Sequence, residues 1–205
     1  MSTTTQNTPT YSIDAGILAG GRGQRMGGQD KGLVLFDGKP MIQHVYDALA
    51  PHVRTVWINC NRNQDRYHAV SPHLCSDSSQ DFSGPLAGLA SILAASTADF
   101  IITSPCDTPF IRTEYCLRMQ SVLAQSLRDH HASNTPLVLV ARCGEKAQPL
   151  HLCLSRQALH ELNECLQNGE LKVFVWLQSM HPVYVDFNED DTQFRNLNHP
   201  EDLAH

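Results

Sequence analysis

Apolar runs of strand length alternate along the chain with apolar positions at helical spacing. Runs rich in apolar, β-branched and aromatic side chains predict buried strands at residues 13–19, 55–59, 100–103, 137–141 and 150–154. Apolar positions three and four residues apart predict amphipathic helices at residues 41–49, where Pro40 is the expected first helical residue, and at 86–93, 112–127 and 156–166. Strands that alternate with helices indicate βαβ units, so we expect a mostly parallel sheet covered by helices on both faces.

Polar side chains stand where several of these strands end. Asn59 ends one strand, Asp77 follows the short run at residues 74–75, and Asp107 follows the run that ends near Ser104. In open α/β sheets, ligands bind beyond the carboxyl ends of the strands. We therefore expect these side chains to converge on one crevice with the glycine-rich segment that follows Leu18.

The length of the chain, 205 residues, fits a single domain that can bury a core without disulfides or structural metal. Residues 1–11 are rich in threonine and poor in apolar side chains. We expect a disordered tail there and one domain over residues 12–205. The sequence contains no internal repeat and no linker-like stretch.

Composition narrows the class of partner and the compartment. The net charge of −6 argues against general nucleic-acid binding, which needs a basic face. Seven cysteines without a C-x-x-C pair fit neither a disulfide framework nor a zinc ribbon, and Cys60 and Cys153 are expected in the core. With no apolar leader at the start and no run long enough to span a membrane, the sequence predicts a cytoplasmic protein that contacts no membrane.

Residues 18–32, LAGGRGQRMGGQDKG, are the most informative segment. Glycines such as Gly20 and Gly21 let the backbone approach a ligand closely, and consecutive N–H groups form an anion site. Arg22, Arg25 and Lys31 add positive charge suited to phosphates. The spacing fits neither the dinucleotide fingerprint nor the P-loop. A phosphate-binding loop is the favoured interpretation, and a flexible surface loop with solvated charges is the alternative.

Asp107 lies in SPCDTPF, residues 104–110, at the end of an apolar strand. Magnesium in triphosphate sites is held by one or two carboxylates together with phosphate oxygens, a role that suits Asp107. By itself the pattern Asp-x-Pro favours a turn or helix cap. Together with the glycine-rich loop, the metal role becomes the better hypothesis.

Asp77 and Asn59 are weaker candidates. Guanine presents two adjacent N–H donors along one edge and adenine does not, so a fixed carboxylate would select guanine. We hypothesise that Asp77 recognises the base and that Asn59 assists at the base or the ribose. Loop capping is an almost equal alternative for both residues.

These segments resemble the molybdenum cofactor guanylyltransferases over nearly the whole chain after the tail. The resemblance lies in LAGGRGQRMGGQDKG at 18–32, WINCNR at 57–62, GPLAGL at 84–89, PCDTPF at 105–110 and NLNHPEDL at 196–203. It implies a single-domain three-layer α/β/α nucleotidyltransferase fold with a Rossmann-like, mostly parallel sheet. The N-terminal half would bind the nucleotide and the C-terminal half the acceptor. Two departures fall in that second half, at Gln148 and Leu171.

The resemblance also implies residue roles. Those implied for GTP binding are Leu18, Ala19, Gly20, Gly21, Lys31, Asn59, Asp77 and Asp107. Arg25 and Lys31 would contact phosphates and, with Asp107 as the Mg²⁺ ligand, form the catalytic set. Asn196 and Asn198 would face the acceptor.

The implied reaction joins GTP and molybdenum-molybdopterin and releases pyrophosphate. We expect a monomer that makes transient contacts with proteins that deliver or accept the cofactor. A cytidylyl- or sugar-nucleotidyltransferase is the nearest alternative. A non-catalytic GTP-binding or molybdopterin carrier protein is the alternative from another class.

Overall fold

The computed structural model describes residues 11–21, 29–78, 84–129, 135–188 and 192–203. The strands are β1 (Ile13–Leu18), β2 (Leu35–Phe36), β3 (Lys39–Pro40), β4 (Val56–Asn59), β5 (Leu74–Cys75), β6 (Phe100–Pro105), β7 (Val138–Cys143), β8 (Lys146–Ser155) and β9 (Val183–Phe187). The helices are α1 (Met41–Leu49), α2 (Gln64–His68), α3 (Pro85–Ala95), α4 (Thr113–Asp129), α5 (Ala158–Gln167) and α6 (Val173–Ser179). Residues 1–10 of the predicted tail lie outside the described ranges. Tyr11, its last residue, packs edge-on against Phe100 with ring centroids 5.5 Å apart.

The main sheet has the strand order β5-β4-β1-β6-β8-β7-β9. β1 lies between β4 and β6 and runs parallel to both, and β5 extends the parallel half beyond β4. The predicted mostly parallel sheet is therefore confirmed, with one local exception. β8 runs antiparallel to β6 and β7, because a turn at Gly144 and Glu145 joins β7 directly to β8. Gly144 has a φ of 54°, a conformation that glycine adopts at little cost.

Helices cover both faces of the sheet, as the predicted three-layer arrangement requires. Strand side chains alternate between the two faces, so Ala15 and Ile17 of β1 pack with α1 and α4, whereas Leu18 packs with α3. On β7 the same alternation places Leu139 on the first face and Val140 on the second. The first core cluster is built largely on α1 and α4, and the second on α3, α5 and α6.

Two helix predictions need correction in detail. Pro40 is the residue before α1 and pairs with Leu35 in the β2–β3 hairpin, so it is the N-cap and not the first helical residue. The helix predicted at residues 86–93 is present as α3, but it is not amphipathic. It is buried on nearly all sides, at Leu86, Ala87, Gly88, Leu89, Ala90, Ile92 and Leu93. The helix lies very close to β1, because a Cβ on Gly16 would come within 2.7 Å of the Ile92 side chain.

The seven cysteines all lie in the described ranges and all are free thiols. The expectation that Cys60 and Cys153 belong to the core is confirmed, since both are fully buried. Within the part of the chain that the structure describes, no helix combines the length and apolarity needed to cross a membrane.

His151 on β8 is a buried titratable side chain between aromatic rings. Its ring lies edge-on to Tyr115 and Phe194, with centroids 5.5 and 4.9 Å away. Burial lowers the pKa of His151 from 6.5 to about 3, so the folded protein holds it neutral. Between these two values the unfolded chain binds a proton that the folded chain does not, so His151 disfavours folding increasingly as the pH falls below 6.5.

We expect the free energy of unfolding of His151→Phe to fall less steeply than that of the wild type as the pH is lowered. The difference in unfolding free energy between wild type and variant should shift in favour of the variant by about 1.4 kcal/mol for each pH unit between pH 6 and 4. Urea titrations at several pH values measure it, and the constant cost of repacking a larger ring cancels in the slope. A difference that does not change with pH would contradict the assignment.

Candidate active site

A cavity of about 430 Å³ opens at the carboxyl ends of β1, β4 and β6. This is the position at which parallel sheets bind their ligands. Its lining includes the backbone after β1, the start of α3 and side chains from both halves of the chain: Leu18, Ala19, Gly20, Gly21, Asp30, Lys31, Asn59, Asp77, Gly84, Pro85, Gly88, Pro105, Cys106, Asp107, Leu150 and Asn196. The strand-end residues singled out in the sequence therefore share one cavity.

Lys31 and Asp107 in the cavity wall form, together with Asn198 behind them, a group that we call the lysine cluster. The Lys31 Nζ donates to Asp107 Oδ2 at 3.1 Å and to Asn198 Oδ1 at 2.7 Å. The Lys31 and Asp107 side chains are 21% and 14% exposed, so the pair faces the cavity while being largely shielded from bulk water. Such shielding strengthens each charge interaction with a ligand.

The C-terminal segment is fixed against the turn that carries Asp107. The Leu197 N–H donates to the Asp107 carbonyl oxygen at 2.9 Å, and the Leu197 side chain is fully buried. The backbone N–H groups of Asn198 and His199 donate to the Asp202 carboxylate at 2.8 and 2.9 Å, and they lower the pKa of Asp202. These contacts hold Asn198 where its Oδ1 accepts a hydrogen bond from Lys31. Asn196 lines the cavity.

Asn59 and Asp77 in the cavity wall form, together with the neighbouring Asn61, a group that we call the amide–carboxylate cluster. Asn59 Nδ2 donates to Asp77 Oδ1 at 2.9 Å, and Asn61 Nδ2 donates to Asp77 Oδ2 at 2.8 Å. The Asp77 N–H donates in return to Asn61 Oδ1 at 2.9 Å. These hydrogen bonds fix the orientation of the Asp77 carboxylate. Each of its oxygens can accept a further hydrogen bond from a ligand.

Two glycines make room for Asn59. A Cβ on Gly20 would lie 2.8 Å from Asn59 Oδ1, and a Cβ on Gly88 would lie 2.7 Å from the same atom. Contacts this short are not tolerated between non-bonded atoms, so any larger residue at either position would displace the Asn59 amide. Gly88 belongs to the GPLAGL segment at the start of α3, which explains structurally why that segment contains a glycine inside a helix.

Asp30 lies directly before Lys31 and is anchored deep in the wall of the cavity. Its carboxylate accepts hydrogen bonds from the buried Tyr67 hydroxyl and from Asn63 Nδ2, the latter at 3.0 Å. Arg62 forms an ion pair with it, with Nε 3.6 Å from Asp30 Oδ2. Burial raises the pKa of Tyr67 far above its ordinary range, so the hydroxyl remains a donor. The backbone at Lys31 is therefore held in place by the residue before it.

Cys106 lines the cavity next to Asp107 but is unsuited to nucleophilic chemistry. Its thiol is buried, and burial raises its pKa well above the ordinary value. The reactive form of cysteine is the thiolate. Chemistry in this cavity is therefore expected to proceed without a cysteine-bound intermediate.

The charges of the described lining favour a cation as part of the bound ligand. Lys31 is the one basic residue among the described residues that line the cavity, whereas Asp30, Asp77 and Asp107 are acidic. Asp30 is balanced by Arg62, but Lys31 is already paired with Asp107. A triphosphate entering this part of the cavity would need additional positive charge.

Few protein side chains in the cavity could bind such a cation. Among the described residues, no group of three or more His, Cys, Asp or Glu side chains is placed to hold a metal ion. Mg²⁺ in nucleotide sites needs only one or two carboxylates, because phosphate oxygens and water supply the other ligands. Asp107, which opens onto the cavity beside Lys31, fits that requirement.

The structure places most of the sequence-predicted site residues in the cavity wall. Leu18 ends β1 there, and Ala19, Gly20 and Gly21 follow it. The other residues implied for GTP binding, Lys31, Asn59, Asp77 and Asp107, also line the cavity. Arg25, the third member of the predicted catalytic set, lies outside the described residues, as does Arg22. Sequence reasoning missed Asn61, Asp30 and Arg62 as individual functional candidates, although Asn61 and Arg62 belong to the WINCNR segment. Their contacts join stretches that are distant in sequence, which no local pattern reveals.

The chain is similar to known proteins over most of its length. The model of a family described as MobA-like NTP transferase domain matches residues 15–183. A molybdenum cofactor guanylyltransferase of Vibrio cholerae serotype O1 is 39% identical over 205 residues, which covers 98% of this chain and 96% of that protein. A protein of the same name from Shewanella baltica is 39% identical over 189 residues, covering 92% of each chain.

A solved structure supports the fold. The molybdopterin-guanine dinucleotide biosynthesis protein A from Archaeoglobus fulgidus aligns with a TM-score of 0.74 and 22% identity, covering 93% of this chain and 95% of that one. At this identity the likeness concerns the fold, which is that of an α/β nucleotidyltransferase.

Proposed function

The chain belongs to the family of MobA-like NTP transferase domains, and from that premise we propose that it transfers GMP from GTP to molybdenum-molybdopterin. The products are the molybdopterin guanine dinucleotide and pyrophosphate. The observation that carries the proposal is the 3.1 Å contact between Lys31 and Asp107, whose side chains meet from distant segments in the same cavity as Asp77. A phosphate-binding lysine, a metal-binding carboxylate and a base-recognising carboxylate are the parts that such a transfer needs.

The transfer is a displacement at the α-phosphorus of GTP. A terminal phosphate oxygen of the acceptor attacks the α-phosphorus in line, a new P–O bond forms, and the bond to the β-phosphate oxygen breaks. Pyrophosphate leaves with the electron pair of the broken bond. The attacking phosphate is already ionised at neutral pH, so the reaction needs no strong general base. The protein contributes by positioning the reactants and neutralising charge.

Asp107 is the residue that we propose holds Mg²⁺, together with phosphate oxygens of the nucleotide. The ion would supply the positive charge that neutralises the triphosphate and the leaving group. Lys31 lies beside Asp107 and would direct its ammonium group to the phosphates once the carboxylate is occupied by the ion. Asn198, which accepts from Lys31 Nζ at 2.7 Å, would hold the lysine in that position.

Product analysis tests the proposal directly. The purified protein is incubated with GTP, Mg²⁺ and molybdenum-molybdopterin, and the products are separated and identified by mass. We expect the guanine dinucleotide and an equal amount of pyrophosphate. A cytidine or sugar product formed from other substrates would indicate a related transferase, and GTP binding without pyrophosphate release would indicate a carrier.

Asp77 is proposed to select guanine by accepting its N1–H and its exocyclic amino group. Inosine triphosphate lacks that amino group, so it tests one of the two hydrogen bonds. In the wild type we expect kcat/KM for GTP to exceed that for ITP by about 10–100-fold, the effect of one hydrogen bond to a charged group. In Asp77→Ala the two nucleotides should react with nearly equal efficiency, because neither finds the carboxylate.

The control for this comparison is Asp65→Ala, which removes an exposed carboxylate from α2. It should retain the wild-type ratio of GTP to ITP. If Asp77→Ala also retains that ratio, Asp77 does not read the base.

Asn196 and Asn198 are proposed to face the acceptor. Asn196 lines the cavity, and Asn198 bonds to Lys31 in the cavity wall. Amide side chains can both donate to and accept from the polar edge of a pterin. Proteins that supply or receive the cofactor would make transient contact at this side of the cavity.

A further inference from the structure

The Asn61 side chain contacts Asp77 from outside the cavity. Asn59 and Asp77 both belong to the described lining of the cavity, whereas Asn61 does not. Asn61 follows β4 and is partly buried. Asp77 follows β5, the two-residue strand that pairs with the end of β4. An effect of Asn61 on a ligand in the cavity would therefore pass through its neighbours.

The amide of Asn61 is bonded at both of its polar atoms. Its Oδ1 accepts a hydrogen bond from the Asp77 N–H at 2.9 Å, and its Nδ2 donates to Asp77 Oδ2 at 2.8 Å. Nδ2 also donates to the Gly20 carbonyl oxygen at 3.4 Å. These partners dictate the orientation of the amide, because a backbone N–H can only donate and a carboxylate can only accept.

Asn61 and Asn59 together fix the plane of the Asp77 carboxylate. Asn59 Nδ2 donates to Oδ1 at 2.9 Å, and Asn61 Nδ2 donates to the other oxygen. The terminal torsion of an aspartate side chain is broad, so a single hydrogen bond would let the carboxylate rotate about its Cβ–Cγ bond. Guanine presents N1–H and its amino group side by side in the plane of the base. A carboxylate accepts both donors only when it lies close to that plane.

From this geometry we propose that Asn61 is a positioning residue that fixes the carboxylate plane of Asp77 and thereby sets the preference of the site for guanine. The proposal rests on the proposed function in taking Asp77 as the residue that reads the base. A carboxylate that is already held in the accepting orientation loses little rotational freedom when the base arrives. Its preference for guanine is therefore larger than that of an unrestrained aspartate.

Direct titration with Mg²⁺-GTP and Mg²⁺-ITP tests this role. The wild type should bind GTP about tenfold or more tightly than ITP, the effect of one hydrogen bond to a charged group. In Asn61→Ala a rotating carboxylate still accepts the N1–H that both bases present, but it loses the second donor of guanine. The ratio of the two Kd values should therefore fall by about fivefold or more. A general structural defect would weaken the binding of both nucleotides and leave the ratio unchanged.

The double variant Asn61→Ala/Asp77→Ala shows whether Asn61 acts through Asp77. If it does, adding Asn61→Ala to Asp77→Ala leaves the Kd for GTP nearly unchanged, because the carboxylate that Asn61 orients is already gone. A second loss of GTP affinity as large as the first would overturn the proposal, since Asn61 would then act by another route.

Gln64→Ala is the matched control. Gln64 Nε2 donates to the Ser76 hydroxyl at 2.9 Å, so it joins the same two segments without contacting Asp77. The Gln64 side chain is exposed, and its variant should keep the wild-type ratio of the two Kd values. An equal fall of the ratio in Gln64→Ala and Asn61→Ala would overturn the specific role of Asn61.

Asn61→Asp is the second test variant. It keeps the size of the side chain and an acceptor for the Asp77 N–H, but it replaces the donor to the Asp77 carboxylate by an oxygen. The ratio should fall at least as far as in Asn61→Ala, because like charges now face each other. This variant decides the question if Asn61→Ala does not fold, and a wild-type ratio in it would overturn the proposal.

Failure of this proposal and failure of the proposed function give different results. If Asp77→Ala keeps the wild-type preference for GTP, the base-reading role of Asp77 is wrong and the role of Asn61 is wrong with it. If Asp77→Ala loses the preference and Asn61→Ala keeps it, only the role of Asn61 is wrong. If the wild type binds GTP but forms no dinucleotide, the transfer reaction is wrong, whereas the Kd ratios still test Asn61.

Discussion

Replacing Asp107 by alanine is expected to lower the rate of GMP transfer by about a thousandfold or more, because the Mg²⁺ that Asp107 is proposed to hold neutralises charge in the transition state of phosphoryl transfer. The other two aspartates of the cavity are already held by several partners, Asp30 by Tyr67, Asn63 and Arg62, and Asp77 by two asparagines. Asp107 is paired with Lys31, which can turn towards a phosphate. We therefore propose Asp107 as the carboxylate that holds the metal.

The fold should tolerate this replacement. The turn that carries Asp107 contacts the C-terminal segment through the Asp107 backbone carbonyl, which accepts a hydrogen bond from the Leu197 N–H. The Asp107→Ala variant keeps this backbone contact. Pyrophosphate release at saturating GTP, Mg²⁺ and molybdenum-molybdopterin measures the loss, and far-ultraviolet circular dichroism with thermal melting checks the fold. Asp107→Asn, which keeps the shape and removes the charge, should be almost as inactive. Asp47→Ala, the control, removes an exposed carboxylate on α1 and should be fully active. Near-normal activity of Asp107→Ala would show that Asp107 does not belong to the catalytic set.

The sheet could be predicted from sequence because its central strands are buried on both faces. Such strands appear as mainly apolar runs. β4 and β6 begin with that pattern and turn polar at their ends, and β1 is interrupted only by the buried Asp14. β9 lies at the edge of the sheet with only Val185 fully buried, and no strand is predicted there although its sequence VYVDF is rich in β-branched and aromatic side chains. The direction of β8 depended on the turn at Gly144, whose Cys-Gly-Glu-Lys sequence could have indicated a hairpin.

Helix α6 shows where local propensity misleads. Its sequence Val173–Ser179 begins with β-branched and aromatic residues that favour a strand. It folds as a helix because Trp176 and Leu177 are buried against the core while Phe174 and Val175 remain exposed. Tertiary packing of two large side chains decides its conformation.

Part of the candidate site could be predicted, because ligands bind beyond the carboxyl ends of parallel strands. Asn59, Asp77 and Asp107 follow strands that end at one edge of a parallel sheet, so their proximity follows from topology alone. The contact between Lys31 and Asn198 spans 167 residues of sequence, and only the family resemblance pointed to the C-terminal asparagines. The anchoring of Asp30 by Tyr67 had no sequence signal, because a tyrosine on a short helix looks like any other core residue.

Lys31→Ala is expected to lower kcat/KM for GTP by about a thousandfold, in the range measured when a cation is removed from other phosphoryl-transfer sites. The lysine is the one basic residue among the described residues of the cavity wall, so no neighbour there replaces it. The loss corresponds to about 4 kcal/mol of transition-state stabilisation. It should appear in kcat more than in KM, because the charge that Lys31 offsets grows as pyrophosphate departs.

Lys31→Met separates the charge of Lys31 from its packing. Methionine keeps an unbranched stem, so this variant should match Lys31→Ala in activity while retaining more stability. Lys39→Ala is the control, since Lys39 is an exposed lysine that pairs with Asp47 away from the cavity. In either cavity variant Asn198 loses a donor at 2.7 Å and Asp107 loses its cation, so the requirement for Mg²⁺ should rise as well. A kcat within tenfold of the wild type would mean that Lys31 only orders the C-terminal segment, and the cation for the leaving group would have to be sought elsewhere in the glycine-rich loop.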